Sequence, residues 1–234
     1  MSANASKGIV GNPAMKTRSL TLPLVWFTAL TLFLGPARSQ TVVTFDDLSE
    51  NGSGAYFGYE YQGYEGLTWS NILCRNAILF TNVLPQYFPG APANGLSGDY
   101  YGMVSPSNVA VLATGCEIDA RGTNFNFLGA YLTGEWNSNL NVQLQGFRNG
   151  TLIYDTTVVV NATSPTRFAF DFNDIDRLCF DSYGGQPAFS GINAPGDTVM
   201  DNMTFDFIPE PSSLLLTALG AVTLCAVGVR RRRS

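Results

Sequence analysis

The sequence predicts an all-β fold: a jelly-roll-like β-sandwich ectodomain with a single C-terminal transmembrane helix. Three observations support the β assignment. Apolar residues recur every second position in short runs, residues that favour turns (Gly, Asn, Pro and Ser) separate those runs, and no stretch of the interior has the pattern of an amphipathic helix. Many short strands in about 170 residues favour a jelly roll over a smaller immunoglobulin-like domain.

The start of the chain has the pattern of a secretory signal peptide. Lys16 and Arg18 precede an uncharged apolar run, and small residues come immediately before Gln40, as signal peptidase requires. Met15 stands closer to this basic and apolar pattern than the first residue does. The prediction is therefore a signal peptide over residues 1–39, removed by signal peptidase, with Met15 as the true start.

An acidic β-sandwich domain is predicted over residues 40–207. Its strands are expected at 42–45, 77–83, 109–113, 125–132, 140–147, 151–160, 167–172, 177–181 and 199–207. The clearest local feature is the hairpin between the fifth and sixth of these runs. Asn149 and Gly150 join them, and Asn-Gly readily adopts the positive φ angles of a tight hairpin turn.

Two stretches rich in glycine and aromatic residues, 52–69 and 85–101, are predicted to be long loops. Exposed aromatic rings can stack on the apolar faces of sugars, so these loops are one candidate for a glycan-binding surface. The residues nominated for that surface are Tyr59, Tyr61, Tyr64 and Trp69. The alternative is that the rings close the open end of the sandwich.

The charge of the domain is strongly acidic. Between Gln40 and Ile208 there are 17 acidic and five basic residues, a balance that repels phosphate backbones and excludes nucleic acid as a partner. Asp46 and Asp47 lie near the first strand and Asp201 lies in the last. Because terminal strands often neighbour one another in a jelly roll, these carboxylates are a candidate site for structural Ca²⁺, and no other cofactor is expected. The alternative is that they cap turns.

Catalysis is constrained by the absence of histidine from the sequence. Without it there is no Ser-His or Cys-His pair and no His-containing zinc site. A glycosidase with a pair of carboxylates remains an alternative, because it needs only two acids across a cleft. The acids that could be nominated are Glu60, Glu65, Glu117 and Glu135. Nothing in the sequence singles out a pair, and the prediction is that the protein is not an enzyme.

Three cysteines lie in the predicted domain. Exported proteins can oxidise such residues, and three cysteines allow three single disulfides. Cys179 sits between apolar residues of a predicted strand, where a small buried side chain is a sufficient explanation. Cys74 and Cys116 flank loop-like segments, so the favoured disulfide joins these two.

The end of the chain has three adjacent parts. The sequence Pro209, Glu210, Pro211 comes first, an uncharged apolar segment follows over about 212–229, and the chain closes with a basic cluster. The cluster is Arg230, Arg231, Arg232 and Arg233. The apolar segment is at the short end of what spans a bilayer as a helix, and the arginines would stop it on the cytoplasmic side, with the domain on the other side.

This end resembles the PEP-CTERM sorting signal of exported proteins in Gram-negative bacteria. The resemblance covers residues 208–234 and implies recognition by an exosortase, a membrane-embedded thiol transpeptidase that processes its substrates near Pro-Glu-Pro. It implies an inner-membrane-anchored precursor that then reaches the cell surface or an exopolysaccharide matrix. The body is similar to the glycine-rich β-sandwich ectodomains that often precede this signal, through residues 44–48, 64–69 and 201–205.

The expected function is that of an exported surface or extracellular-matrix protein of structural or adhesive type. Its expected partners are signal peptidase, an exosortase, the membrane and exopolysaccharide. The first alternative is a carbohydrate-binding module that uses its aromatic loops, and the second is the carboxylate-pair glycosidase.

Overall fold

The structure is a computed structural model that describes residues 40–48, 60–88, 91, 95–189, 192, 196–208 and 220. Only the backbone is described for residues 60–62 and 87. Within these residues, no helix is long and apolar enough to cross a bilayer. The predicted signal peptide, the Pro-Glu-Pro motif, the transmembrane segment 212–229 (Gly220 apart) and the arginine cluster lie outside the described residues.

The described chain is built mainly from antiparallel strands. The strands are β1 Thr41–Val43, β2 Glu60–Tyr64, β3 Leu67–Asn76, β4 Asn108–Asp119, β5 Phe125–Gly134, β6 Asn137–Arg148, β7 Thr151–Val160, β8 Thr166–Ile175, β9 Arg177–Pro187 and β10 Thr198–Phe207. Two helices, α1 Ala77–Tyr87 and α2 Gly98–Gly102, lie between β3 and β4.

The strands form one ten-stranded antiparallel sheet that folds over into two layers, which share β4. The first layer has the order β7-β6-β9-β4, and the second has the order β4-β10-β5-β8. Residues 110–112 of β4 pair with β10, and residues 116–119 pair with β9. Gly115, which has a φ of 73°, lies between these two segments, where the strand passes from one layer to the other. β3 follows β4 along its length, and β1 pairs with the far half of β10.

A large apolar core lies between the two layers. Its fully buried side chains alternate along each strand, as Leu140, Val142 and Leu144 do in β6. β7 and β8 are the outer strands of the two layers, and the rings of Tyr154 in β7 and Phe172 in β8 stack with centroids 4.6 Å apart. This contact brings the two outer strands close together, so the fold is an all-β, sandwich-like structure that is nearly closed.

The predicted hairpin is confirmed. β6 and β7 pair in register from Leu140 with Val160 to Arg148 with Thr151, with one irregularity beside Phe147. Asn149 and Gly150 occupy the turn with φ angles of 49° and 75°. Both angles lie in the left-handed region that Asn and Gly tolerate, which is the reason that this pair predicted the turn. The predicted strands after position 108 all lie within observed ones.

The strand predicted at 77–83 is wrong, because these residues begin α1. The side-chain oxygen of Asn76 caps the helix by accepting hydrogen bonds from the backbone N–H groups of Ile78 and Leu79, at 3.1 and 2.9 Å. A short apolar run does not by itself distinguish a strand from a buried helix. The helix packs on a second apolar cluster that contains Phe80, Leu84, Trp136, Ala162, Phe189 and Ile192.

The two predicted loops are also partly wrong. Residues 60–64 and 67–69 belong to the β2–β3 hairpin, and the second stretch contains the end of α1 and all of α2 except Gly102. In the first stretch, Gly63 and Gly66 have positive φ angles and flank the turn of the hairpin. These two glycines serve a tight turn between strands rather than a long loop, and residues 52–59 lie outside the described residues.

Candidate functional site

The outer surface of the first layer carries a set of polar side chains, here called the polar face. Its members are polar outward-facing residues of four strands: Glu117 of β4, Asn141, Gln143 and Gln145 of β6, Asp155 and Thr157 of β7, and Arg177, Cys179, Asp181 and Tyr183 of β9. Two exposed apolar residues of β7, Ile153 and Val159, lie on the same side of the layer, and Val159 pairs with Asn141. They alternate with residues that face the core, as the two-residue period of a strand requires.

Strand register places these residues in rows across the layer. Gln143 lies between Thr157 and Asp181, and Gln145 lies between Asp155 and Cys179. The face runs about 20 Å along β9 at a rise of about 3.3 Å per residue, and four strands give it a width of about 14 Å. It is therefore large enough for an extended ligand.

The amides at the centre of the polar face are held in place. Asp155 accepts a hydrogen bond from Nε2 of Gln143 at 2.8 Å and another from Nε2 of Gln145 at 3.3 Å. One carboxylate thus orients both amides, and the carbonyl oxygen of each amide receives no hydrogen bond from the residues that the structure describes. Neighbouring donors and acceptors in fixed positions can bind the hydroxyl groups of a sugar.

Aromatic rings lie near both ends of the polar face. Tyr183 is 51% exposed and pairs across the strands with Asn141. At the other end the guanidinium carbon of Arg177 lies 4.4 Å from the centroid of the half-buried Phe147 ring. Arg177 also forms a 3.5 Å ion pair with Glu117. The exposed ring of Tyr183 is therefore available for stacking, while the ring of Phe147 is engaged by an arginine.

Cys179 lies within the polar face as a neutral thiol. Burial, followed by the negative charge of Glu117, raises its pKa to about 11. Its Sγ is 3.8 Å from Oε2 of Glu117, which accepts the thiol proton in a weak hydrogen bond. The thiolate is the reactive form of cysteine, so this environment makes Cys179 a poor nucleophile.

The aromatic residues nominated from the sequence do not form an exposed surface. Trp69 is only 1% exposed, and its Nε1 donates a hydrogen bond to the backbone oxygen of Tyr64 at 2.9 Å. Tyr64 is half-buried, and its hydroxyl donates to Asp47 at 2.6 Å. The prediction that Trp69 contacts glycan is wrong because the ring belongs to the core. The side chains of Tyr59 and Tyr61 lie outside what the structure describes.

The predicted calcium site is wrong. β1 and β10 are neighbours, as expected, but Asp46, Asp47 and Asp201 do not converge, and the described residues contain no metal-binding group of three or more acidic or thiol side chains. Asp201 instead accepts the backbone N–H groups of Val104 and Ser105 at 2.7 and 2.8 Å. These carboxylates anchor loops to strands, and burial raises the pKa of Asp201 to about 6.

The predicted disulfide between Cys74 and Cys116 is absent, and both residues are buried free thiols. Cys74 lies opposite Ala110 on the neighbouring strand, whereas Cys116 lies opposite Phe180. Each therefore occupies a position in the sheet where it pairs with an apolar residue rather than with the other cysteine. Their role is that of small apolar side chains in the core.

A buried ion cluster was not predicted from the sequence. Nη1 of Arg75 in β3 lies 2.7 Å from Oδ2 of Asp99 in α2 and 2.5 Å from Oε1 of Glu135, and all three side chains are buried. The guanidinium carbon also lies 4.0 Å from the centre of the Phe80 ring. The one signal in the sequence was a lone arginine in an apolar run, since the acids that pair with it are 24 and 60 positions away.

Burial dominates the electrostatics of this cluster. It raises the pKa of Glu135 to about 8, against the opposing attraction of Arg75. One guanidinium is shared between two carboxylates, so Arg75 does not fully offset the cost of burying both charges. The cluster links β3, α2 and the β5–β6 turn and therefore serves the fold.

A pocket of about 280 Å³ lies beyond one end of the polar face, where three turns meet. It is lined by Asp119, Gly122, Asn124, Asn149, Gly150, Asp176 and Arg177. Arg177 belongs both to this pocket and to the polar face, so the two surfaces are continuous.

The chain was compared with known proteins. No family model matches it, and no curated protein matches it. Among solved structures, it is similar to a mutant of a family 29 carbohydrate-binding module, studied for its mechanism of ligand recognition, at 14% sequence identity. That match covers 76% of this chain and 100% of the other, with a TM-score of 0.27. A likeness at this level says nothing about what this chain binds.

Proposed function

We propose that this chain is an exported surface or extracellular-matrix protein that adheres to neutral polysaccharide through its polar face, without catalysis. The observation that favours this function is the polar face itself. The outer face of an antiparallel sheet is ordinarily polar, but this one carries side-chain amides with an exposed tyrosine, in a domain that contains no lysine. The acidic charge of the domain favours a neutral ligand over an anionic one.

Export and processing are proposed from the resemblance of the two ends of the chain to sorting signals. The precursor would be anchored in the inner membrane, processed by an exosortase near Pro209, Glu210 and Pro211, and then delivered to the cell surface or matrix of a Gram-negative bacterium. The described strands begin at Thr41 and end at Phe207. Removal of both ends would therefore leave every described strand in place.

We also infer that the sandwich is a jelly roll. The order of strands supports this inference, because successive strands from β4 to β10 pass between the layers at every connection except that between β6 and β7. Two interleaved layers of this kind are the arrangement that Greek-key connections produce in a jelly roll.

A glycosidase is not favoured. Glu135 is buried in its ion cluster, Glu65 lies in the turn between β2 and β3, and Glu117 is engaged by Arg177. These three carboxylates do not face one another across a described cleft, as a retaining or inverting pair must. The side chain of Glu60 lies outside the described residues. Release of reducing sugar during prolonged incubation with a bound polysaccharide would contradict this part of the proposal.

The binding test compares two exposed tyrosines. Tyr183→Ala removes the ring from the polar face. Tyr100→Ala removes a 40% exposed ring from α2, which is not one of the four strands that form that face. We expect Tyr183→Ala to weaken binding to a panel of neutral polysaccharides about tenfold, since one stacking ring contributes about 1–2 kcal/mol. Tyr100→Ala should bind as the wild type does.

Affinity electrophoresis in gels that contain each polysaccharide measures this directly. If the wild type shows no saturable binding to any neutral polysaccharide, the adhesive function fails and a purely structural role remains. Mass spectrometry of the protein recovered from its host tests export separately: a chain that begins near Gln40 and ends near Pro211 supports processing, and one that retains Arg230 to Ser234 contradicts it.

A further inference from the structure

The pocket beyond the polar face is a built structure held together by Asp176. This residue lies between β8 and β9, and its backbone N–H donates to the oxygen of Phe147 at 2.9 Å while its own backbone oxygen accepts from Ala120 at 2.9 Å. Its Oδ2 accepts from the backbone N–H of Asn149 at 2.5 Å. One residue thus joins the β4–β5, β6–β7 and β8–β9 turns, and the pocket between them has fixed walls.

The side chains of the pocket form a mixed set of donors and acceptors. Asp119 and Asp176 supply carboxylates, Asn124 and Asn149 supply amides, and Arg177 supplies a guanidinium. Nδ2 of Asn124 donates to Oδ1 of Asp174 at 2.7 Å, which fixes the orientation of that amide. Oδ1 of Asp119 accepts from the backbone N–H of the following turn at 2.6 Å. Each carboxylate therefore uses one oxygen for the wall, and the other receives no hydrogen bond from the residues that the structure describes.

This set selects the chemistry of the ligand. A set that contains both acceptors and donors can bind the adjacent hydroxyl groups of a sugar ring, each of which both donates and accepts. Two carboxylates against one guanidinium, itself paired with Glu117, disfavour an anionic ligand. A volume of about 280 Å³ is at the low end of small-molecule pockets, so it suits one ring rather than a length of polymer.

The pocket lies at the Arg177 end of the polar face. Arg177 is the first residue of β9, and Tyr183 marks the opposite end of the face on the same strand. A polysaccharide that lies along β9 would therefore arrive at the pocket through Arg177. We propose that the pocket binds the terminal, uncharged sugar ring of the polysaccharide, so that the protein recognises chain ends. This inference rests on the proposed function, because the polar face must hold the rest of the chain.

The experiment uses the full chain, purified in a detergent that contains no sugar. The probe is neutral polysaccharide extracted from the host matrix, either intact or after partial acid hydrolysis, which multiplies chain ends at constant sugar mass. Recognition of ends predicts that the sugar mass needed for half-saturation falls in proportion to the number of ends. Binding along the polar face alone predicts no such proportional change.

Two matched variants separate the pocket from the face. Asp119→Asn keeps an acceptor for the wall hydrogen bond but removes the charge from the pocket, and Asp171→Asn makes the same change at an exposed position in β8. We expect Asp119→Asn to raise half-saturation with the hydrolysed probe about tenfold, the size of one charge-assisted hydrogen bond, so that its half-saturation no longer falls in proportion to the number of ends. Asp171→Asn should match the wild type with both probes.

The outcomes distinguish the two proposals. If the wild type binds but its half-saturation does not depend on chain ends, the pocket inference is overturned and the polar face stands. The same conclusion follows if Asp119→Asn behaves as Asp171→Asn does while both retain wild-type thermal unfolding. If the wild type binds neither probe and Tyr183→Ala changes nothing, the proposed function fails and the pocket inference fails with it.

Discussion

Replacing Arg75 with methionine should strongly lower the free energy of unfolding, because Arg75 is the basic member of the buried ion cluster. Arg75 is 6% exposed and balances the carboxylates of Asp99 and Glu135 at 2.7 and 2.5 Å. Removing one partner of a buried ion pair costs about 3–5 kcal/mol, because the remaining charge stays buried without compensation. A domain of this size has a free energy of unfolding of about 5–15 kcal/mol, so Arg75→Met should remove a large part of it.

The assay is equilibrium unfolding in urea of residues 40–208, followed by tryptophan fluorescence at pH 8. Trp69 and Trp136 are both buried, so their emission reports loss of the two apolar clusters. We expect the free energy of unfolding, obtained from the urea midpoint, to fall by about 4 kcal/mol. The control is Arg167→Met, which removes an exposed arginine of β8 that lies 5.9 Å from the ring centre of Tyr131.

A second variant tests the cause of the loss. When Arg75→Met is combined with Asp99→Asn and Glu135→Gln, no charge is left in this cluster, and we expect roughly half of the lost stability to return. A loss below about 1 kcal/mol for Arg75→Met, equal to that of the Arg167→Met control, would refute the reasoning. In that case the guanidinium would not be the group that compensates these carboxylates.

Three further predictions concern pH, packing and thiols. Because the pKa of Glu135 is raised from 4.5 to about 8, the folded chain holds a proton that the unfolded chain releases, so stability should fall as pH rises across that interval. Glu135→Gln should flatten this slope in urea midpoints at pH 5 and 8. Gly129→Ala places its Cβ 2.2 Å from a backbone oxygen and should lower the free energy of unfolding by more than about 2 kcal/mol. At Gly115 an added Cβ has no atom within 4 Å, so Gly115→Ala should lower the free energy of unfolding by about 1 kcal/mol. Iodoacetamide should alkylate native Cys179 only slowly at pH 8 and the two buried cysteines only after unfolding; mass spectrometry that finds those two unreactive in urea without reductant would contradict their being free.

The strands were predictable where local chemistry determines the structure. The Asn149-Gly150 turn carries its own conformational preference, and the runs on either side alternate cleanly because one face of each strand meets water. α1 was mistaken for a strand because its first seven residues are mostly apolar and include β-forming residues. The helix is favoured because it buries Phe80 and Leu84 in the second apolar cluster. The capping residue Asn76 was the available signal, since Asn before an apolar run favours the start of a helix.

The candidate sites were harder to predict than the strands. The polar face needs the register of four strands, and register depends on contacts between residues more than 60 positions apart, such as Glu117 and Cys179. Trp69 was misjudged because composition does not reveal which ring faces the core. The ion cluster joins Arg75 to acids in two other segments, and no spacing rule connects them.

The pairing of β1 with β10 has a consequence for how the chain can be rearranged. Thr41 lies opposite Phe205, so the chain enters and leaves the sheet side by side. A short linker between Ile208 and Gln40 would therefore close the domain into a ring without disturbing a strand, and new ends could be opened at the exposed Asn149-Gly150 turn. Every strand would keep its neighbours in such a circular permutant. The order in which the strands occur along the chain is thus separable from the arrangement that they adopt.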